Sequence, residues 1–483
     1  MFPMKTKTSE TQTINPRSDK GIHTSLYRNA QKPESHSGTV LIVAMWIVLV
    51  LAGLVLVFSR SMRVEAIASA NHLSSLQAEA IARGGLQFVL SQLSSGETQP
   101  MLPGGNNPFE GIELGGGYFW ILHPNLTDDR NHSFGISDES SKINLNSATQ
   151  EMLLKLPGMT AELAASIIDW RDEDSNVTAG GAESEYYLLL PEPYYCKNSP
   201  FETTEEVLLV KGASPEILYG EDTNRNGVLD ANENDAEQNA PADNKNGRLD
   251  RGLYDYVTVY SKTANKTGDG EDRININDMQ QQSKLAKLLQ ENLTDSSKYF
   301  QMMSTVRSVM PFDNIFDFYF SAGLTTDEFK QMSDKLTTVN SEEIVGLVNV
   351  NTAPFEVLAC LPGLEESDAE AIVSYRSTAE AEELESIAWI ADALPKEKAI
   401  AVGSHITVRS SQHCADIVSI SGDGRSYQRY KAVVATQNNT SLVLYWKSLT
   451  HLGWPLDPEI VASLRAGNSL GQAGLTTNLG SSL

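Results

Sequence analysis

The sequence predicts an α+β protein: a long N-terminal helix, apolar and then amphipathic, leads into an antiparallel β-sheet core split by a large inserted helical domain. Three observations predict this. An uncharged run from Thr39 to Phe58 passes without a break into a helical apolar pattern that lasts to Leu93. A segment beginning at Ile143 recurs without a gap from Val348, with the punctuation of paired helices. Strand-like segments stand on both sides of that helical block, which implies one sheet interrupted by an insertion.

Residues 1–38 form a polar leader. In it Lys5, Lys7, Arg17, Lys20, Arg28 and Lys32 outnumber Glu10, Asp19 and Glu34, which places that end in the cytoplasm by the positive-inside rule. Residues 39–96 are the N-terminal helix. At ~1.5 Å of rise per residue, 39–58 covers the ~30 Å hydrocarbon core. Beyond it Val64, Ile67, Leu73, Leu76, Leu86, Val89, Leu90 and Leu93 fall mostly at spacings of three and four, with no proline before Pro100. A secretory signal would carry an apolar stretch of only roughly 7–15 residues, and Arg60, Arg63 and Glu65 separate this span from the small-residue site Ala66-Ile67-Ala68. A plain single-pass anchor would satisfy the same span.

In residues 97–142, "GGGYFWILHP" and "HSFGISD" read as the first strands of the sheet. Residues 143–400 are the inserted domain. Here "INLNSATQEMLLKLPGMTAELAASIIDWR" from Ile143 matches "VNVNTAPFEVLACLPGLEESDAEAIVSYR" from Val348, including Leu156-Pro157-Gly158 with Leu361-Pro362-Gly363, and Arg171 with Arg376. Each reads as helix, glycine turn, helix, with Ser147 and Thr352 as candidate N-caps and Pro354 in a first helical turn. A degenerate copy surrounds Gly212, and "ININD" at Ile274 opens another. In 401–457, "SHITVRSS", "CADIVSISGDGRSYQRYKAVVATQ" and "SLVLYWKSL" return to strand, with a hairpin at Gly422-Asp423-Gly424. Residues 458–483 end in a Gly/Ser-rich stretch expected to be a flexible tail.

The paired units resemble the helix-hairpin-helix, which in nucleic-acid enzymes offers helix N-terminal amides to a phosphate. The second glycine of that motif is replaced here by Thr160 and Glu365, with Glu162, Glu366 and Asp368 nearby. A net charge of −25 repels nucleic acid and favours cations. A membrane-tethered DNA receptor is therefore the weakest reading of these hairpins, and packing into one helical domain is the better one. Cys196, Cys360 and Cys414 lack CxxC spacing, which argues against a metal cluster. Cys360, between Leu358 and Leu361, reads as core, which leaves Cys196 and Cys414 as the pair an oxidising compartment could join.

"DTNRNGVLDANE" carries a calcium-loop pattern: Asp222, Asn224, Asn226, Gly227 at the turn, Asp230, and Glu233 in the bidentate position, with the Val228 carbonyl as a further ligand. Leu229 should point from the ion into the core. The flanks lack the second helix of an EF-hand, so the expected site is structural rather than a sensor. "ADNKNGRLD" repeats the design: with Gly247 at the turn, Asn244, Asn246 and Asp250 fall correctly, Ala242 replaces the first carboxylate, and Asp243 is its substitute. No GxSxG, HExxH, Walker-type loop or GxGxxG occurs, so no enzyme is expected.

A basic leader ending at Gly38, followed by "TVLIVAMWIVLVLAGLVLVFSRSMRVEAIASANHLSSLQAEAIARGGLQFVLSQL", resembles a type IV pilin-like precursor, in particular the GspK family, the large minor pseudopilins of the type II secretion system. The resemblance implies cleavage after Gly38 by a prepilin peptidase and methylation of Thr39 as the new N-terminus. It further implies a pseudopilin-type sheet interrupted by a helical domain, a single-pass inner-membrane position with a periplasmic head, and calcium in that head. The implied partners are other minor pseudopilins, the major pseudopilin, the inner-membrane secretion platform and secreted cargo. Major pilins place a glutamate fifth in the mature chain; here that residue is Val43, which the family implies for a subunit at the filament tip. An uncleaved periplasmic scaffold or adhesion module remains the alternative.

Overall fold

The computed structural model describes residues 37–95, 107–236, 238–293, 298–437 and 440–471. The expected leader lies outside them except for its last two residues. The chain divides into two units, 1–67 and 68–483. In the first, the described residues belong to helix α1 (Ser37–Ser95), and the side chains of 38–67 are exposed throughout. This stretch is long and apolar enough to cross a membrane.

In the second unit the rest of α1 packs on an antiparallel sheet. Its strands are β1 (Ile112–Leu114), β2 (Gly117–Leu122), β3 (Ser137–Asp138) and, after a long excursion, β12 (Gln412–Ile420), β13 (Tyr427–Gln437) and β14 (Thr440–Ser448). Their order is β1-β2-β12-β13-β14, with β3 also on β12. The first and last parts of the head thus meet at one register, Ile417 opposite Ile121 and Ile420 opposite Tyr118. The strand period of two explains the unbroken "YFWIL". Phe119 and Ile121 pack with Ile81, Val89 and Leu93 of α1, while Trp120 and Leu122 face the other way, onto Leu456, Ile460, Leu464 and Leu470. Both sheet faces are covered, so both sets of side chains are apolar.

This second face corrects the expectation of a flexible tail from residue 458. Pro458–Arg465 is a helix, N-capped by Asp457 and carrying a proline in its first turn, and its Ile460 and Leu464 are buried. The last twelve residues lie outside the described ones.

Between β3 and β12 the chain forms helices and short strands around one apolar core. The strands are β4 (Ile143–Asn144), β5 (Val257–Thr258), β6 (Lys262–Ala264), β7 (Ile274–Asn275), β8 (Leu336–Thr337), β9 (Glu343–Val345), β10 (Val348–Asn349) and β11 (Ile406–Thr407). Three pairs are parallel: β4 with β5, β7 with β8, and β10 with β11. Ile406–Thr407, expected beside the core strands, belongs to this region instead. Each first strand opens an Asn-x-Asn motif in which the first side chain accepts the amide of the second, at 2.8 Å in Asn144/Asn146, 2.8 Å in Asn275/Asn277 and 3.0 Å in Asn349/Asn351. Asn146 then pairs with both backbone groups of Phe201, and Asn277 with both of Phe312.

Helices Gln150–Leu154 and Ala161–Arg171 turn at Gly158, and Phe355–Ala359 and Glu366–Thr378 at Gly363. Both glycines have positive φ, 72° and 73°, which other residues rarely adopt. Arg171 donates to the carbonyls of Leu145 and Ala148, and Arg376 to that of Val350, so each hairpin is clamped to its own first strand. The caps differ from those expected. Thr149 caps the first helix, not Ser147, and Pro354 occupies the N-cap of the later one, while the Thr352 hydroxyl donates to Asp138. Thr160 caps the next helix of its hairpin, and Glu365 forms a capping box with Asp368. The residues standing in for the second glycine therefore terminate helices with their own oxygens.

Candidate cation loop and its anchorage

The loop Asp222–Glu233 curls around its own polar groups. Gly227 takes φ of 77° at the turn, with its α-carbon side against Pro124. The Asp222 carboxylate accepts the amides of Asn226 (3.1 Å) and Gly227 (2.8 Å). The Glu233 carboxylate reaches back to the amides of Thr223 and Asp230, both at 3.1 Å. Asn224 and Asn226 both direct their amide nitrogens at Asp230, at 2.6 and 3.2 Å. Five of the expected side chains, those of Asp222, Asn224, Asn226, Asp230 and Glu233, are thus tied into one loop, with Val228 beside them through its amide on Asn226. Leu229 is only half-buried, not in the core, and its amide donates to the Asp129 carbonyl.

Asp222 and Glu233 are 4% and 1% exposed, an expensive position for two carboxylates. Burial, with the nearby Asp255 charge, pushes Asp222 up to about 6; burial, with Asp222 itself, pushes Glu233 up to about 7. Among the described residues no three His, Cys, Asp or Glu side chains converge as a metal cluster. The oxygens of this loop are held apart by backbone amides and asparagine nitrogens. The donor set nevertheless fits a hard cation: it is all oxygen once the two asparagine amides are turned over, and its two buried acids stay raised despite the nearby Arg251 and Arg429.

The second loop is built around a residue that its own spacing did not reveal. Glu221 accepts the amides of Asn244 (3.3 Å) and Asp250 (3.1 Å), as Glu233 accepts those of Thr223 and Asp230 in the first loop. Asn244 and Asn246 again direct their amides at Asp250. Asp243 is occupied with loop closure, accepting the amides of Asp235, Ala236 and Lys245. Asp129 joins the loops, taking the Leu229 amide on its carbonyl and the Leu249 amide on its carboxylate.

Two arginines hold the first loop from outside. Arg251 donates to the carbonyls of Gly227 and Asn125 and pairs with Asp255. Arg429, on β13 and fully buried, donates to the carbonyls of Asn224 (2.5 Å) and Arg225 (2.7 Å) while paired with Asp416 of β12. No local sequence signal could have found Arg429, since it meets the loop some two hundred residues away. Glu221 could have been suspected as a carboxylate adjoining Asp222.

All three cysteines are free and buried, which corrects the expectation that Cys196 and Cys414 could pair. Cys196 donates to the Asp169 carbonyl in the helical region, whereas Cys414 lies on β12 opposite Val433.

The described residues define an α+β protein with one helix long and apolar enough to cross a membrane and an oxygen-lined loop docked on its sheet. Residues 135–219 match the first domain described as type II secretion system (T2SS), protein K, and residues 348–409 match a second T2SS protein K description. Both matches support the type II secretion system protein K (GspK) family for this chain. One solved structure similar to it is the GspK-GspI-GspJ complex of enterotoxigenic Escherichia coli, aligned over 80% of this chain and 98% of the other at 13% identity, with a TM-score of 0.36. No curated protein matches the chain.

Proposed function

We propose that this chain is a minor pseudopilin that caps the tip of a pseudopilus and helps to start its assembly. The observation that carries the reading is Val43. Cleavage after Gly38 would make Val43 the fifth residue, where a major pilin uses a carboxylate to neutralise the terminal ammonium of a neighbouring subunit in low dielectric. A tip subunit has no neighbour above it, and an unpaired buried carboxylate would be costly there. The prepilin peptidase would cut on the cytoplasmic side of the inner membrane, Thr39 would be methylated, and α1 would pass from lipid into a bundle with helices of the other minor pseudopilins and the major pseudopilin. The solved complex with GspI and GspJ supports looking for two such partners. The secretion platform and the cargo are further partners in this reading.

Residues 143–400 act as an inserted domain of repeated helical hairpins, each opened by an Asn-x-Asn strand. Calcium would be held by Asp222, Asn224, Asn226, the Val228 carbonyl, Asp230 and Glu233, and a second ion by Glu221, Asn244, Asn246 and Asp250, with Asp243 shaping that loop. Bound there, the ion would supply positive charge to buried acids that Arg251 and Arg429 only partly offset. Gold labelling of this chain on pseudopili tests the tip assignment. Label confined to one end supports it, and label along the shaft overturns it.

A further inference from the structure

We propose that the first loop is a cation-controlled latch between the helical region 139–411 and the β-sheet, with Arg429 as its bolt; this rests on the calcium reading above. The loop belongs to the helical region by sequence, yet part of its outer contacts is with the sheet. Arg429 places its guanidinium between Asp416 and the carbonyls of Asn224 and Arg225. The bond from the Asn226 side-chain nitrogen to the Pro455 carbonyl, 3.1 Å away, stands outside the latch, because this amide turns its oxygen inward when a cation binds. Asn224 and Arg225 therefore touch β13, and β12 through Asp416.

The carbonyls that Arg429 takes lie at positions three and four of the loop. In this loop type a cation uses the side-chain oxygens at positions one, three, five, nine and twelve and the carbonyl at seven. Bolt and cation therefore draw on different atoms of the same turn. Two positive charges close together would ordinarily repel, but Asp416 neutralises the guanidinium at 2.5 Å. A fully buried arginine needs its acceptors fixed in place, because a guanidinium that loses them has no water to turn to. Ordering of the turn by a cation thus fixes the acceptors of Arg429, and Arg429 passes that order into the sheet.

Hydrogen exchange of the full chain in detergent tests this, with calcium chloride or chelator as the only variable. If opening of the sheet contacts requires the cation to leave, protection at 222–233, 415–417 and 427–431 rises together by the factor 1 + [Ca]/Kd, roughly 100-fold at 100 times Kd. In Arg429→Lys, which keeps a charge for Asp416 but loses the fork, the loop should keep its gain while the sheet segments lose most of theirs. Should that variant not fold, Asp416→Asn loosens the bolt instead, and the sheet gain should fall with the loop gain intact. Protection of the loop with an unchanged sheet in the wild type overturns the latch and leaves the calcium reading standing. An equal sheet gain in the variant that folds overturns it too, since the coupling then bypasses Arg429. No gain anywhere overturns the calcium reading and the latch with it.

Discussion

Asp222→Asn should abolish the calcium response of the head and reduce a pH response that only the metal-free protein shows. In the folded chain Asp222 is 4% exposed and its carboxyl sits at about 6, against an ordinary 3.8. A folded-state value raised above the unfolded one makes the acid destabilising when ionised: its contribution is intact below about pH 4 and is lost as the pH rises through 6. Integrated from pH 5 to 7.5, those two values give a loss of about 1.4 kcal/mol, a tenfold change in the folding constant. Glu233, also pushed up, adds in the same direction. Calcium removes the penalty by holding both acids ionised, and at 100 times Kd it should contribute about 2.7 kcal/mol of its own. Urea unfolding of the detergent-solubilised chain, followed by tryptophan fluorescence at pH 5 to 7.5 in calcium and in chelator, reads all of this. Superimposable wild-type curves in calcium and chelator, or an Asp222→Asn variant that still responds to calcium, would refute the reasoning.

Further outcomes follow from the packing. Asn146→Ala leaves the amide and carbonyl of Phe201 without their side-chain partners and should cost about 1–3 kcal/mol in urea unfolding; Asn277→Ala should do the same at Phe312, and a neutral result at both would mean that water replaces these bonds. Leu163→Ala, at a fully buried position of the first hairpin, should cost roughly 2–5 kcal/mol. The three thiols are buried, and burial pushes them up, Cys196 to about 11 and Cys360 and Cys414 to about 12, so a thiol reagent at pH 8 should label none in the native chain and all three in denaturant. Rapid native labelling would contradict the packing around them.

The parts of the fold legible in the sequence were those written in local periodicity. The helix Ser37–Ser95 and the strands at "YFWIL" and "KAVVATQ" carry their pattern in consecutive residues. The Asn-x-Asn openings at Ile143, Ile274 and Val348 could be aligned by eye, although their parallel partners at Val257, Leu336 and Ile406 could not, because two-residue strands have no period. The helix at Pro458 was missed for another reason. Its Gly/Ser-rich sequel suggested a loose end, whereas Ile460 and Leu464 are fixed by Trp120 and its neighbours far away in the chain. The turn of the first loop was legible because its glycine and the Asp and Asn side chains that close it follow a fixed local spacing. Its anchorage by Arg429, Asp416 and Pro455, and the role of Glu221 in the second loop, arise from tertiary contacts that no spacing encodes.

The proposed tip role requires α1 to be cut free at its cytoplasmic edge and reused in an assembly. Intact-mass and N-terminal peptide spectrometry of the chain recovered from assembled pseudopili tests this most directly. It should begin at Thr39 with one added methyl group; a chain that still carries Met1 and the residues up to Gly38 would contradict it.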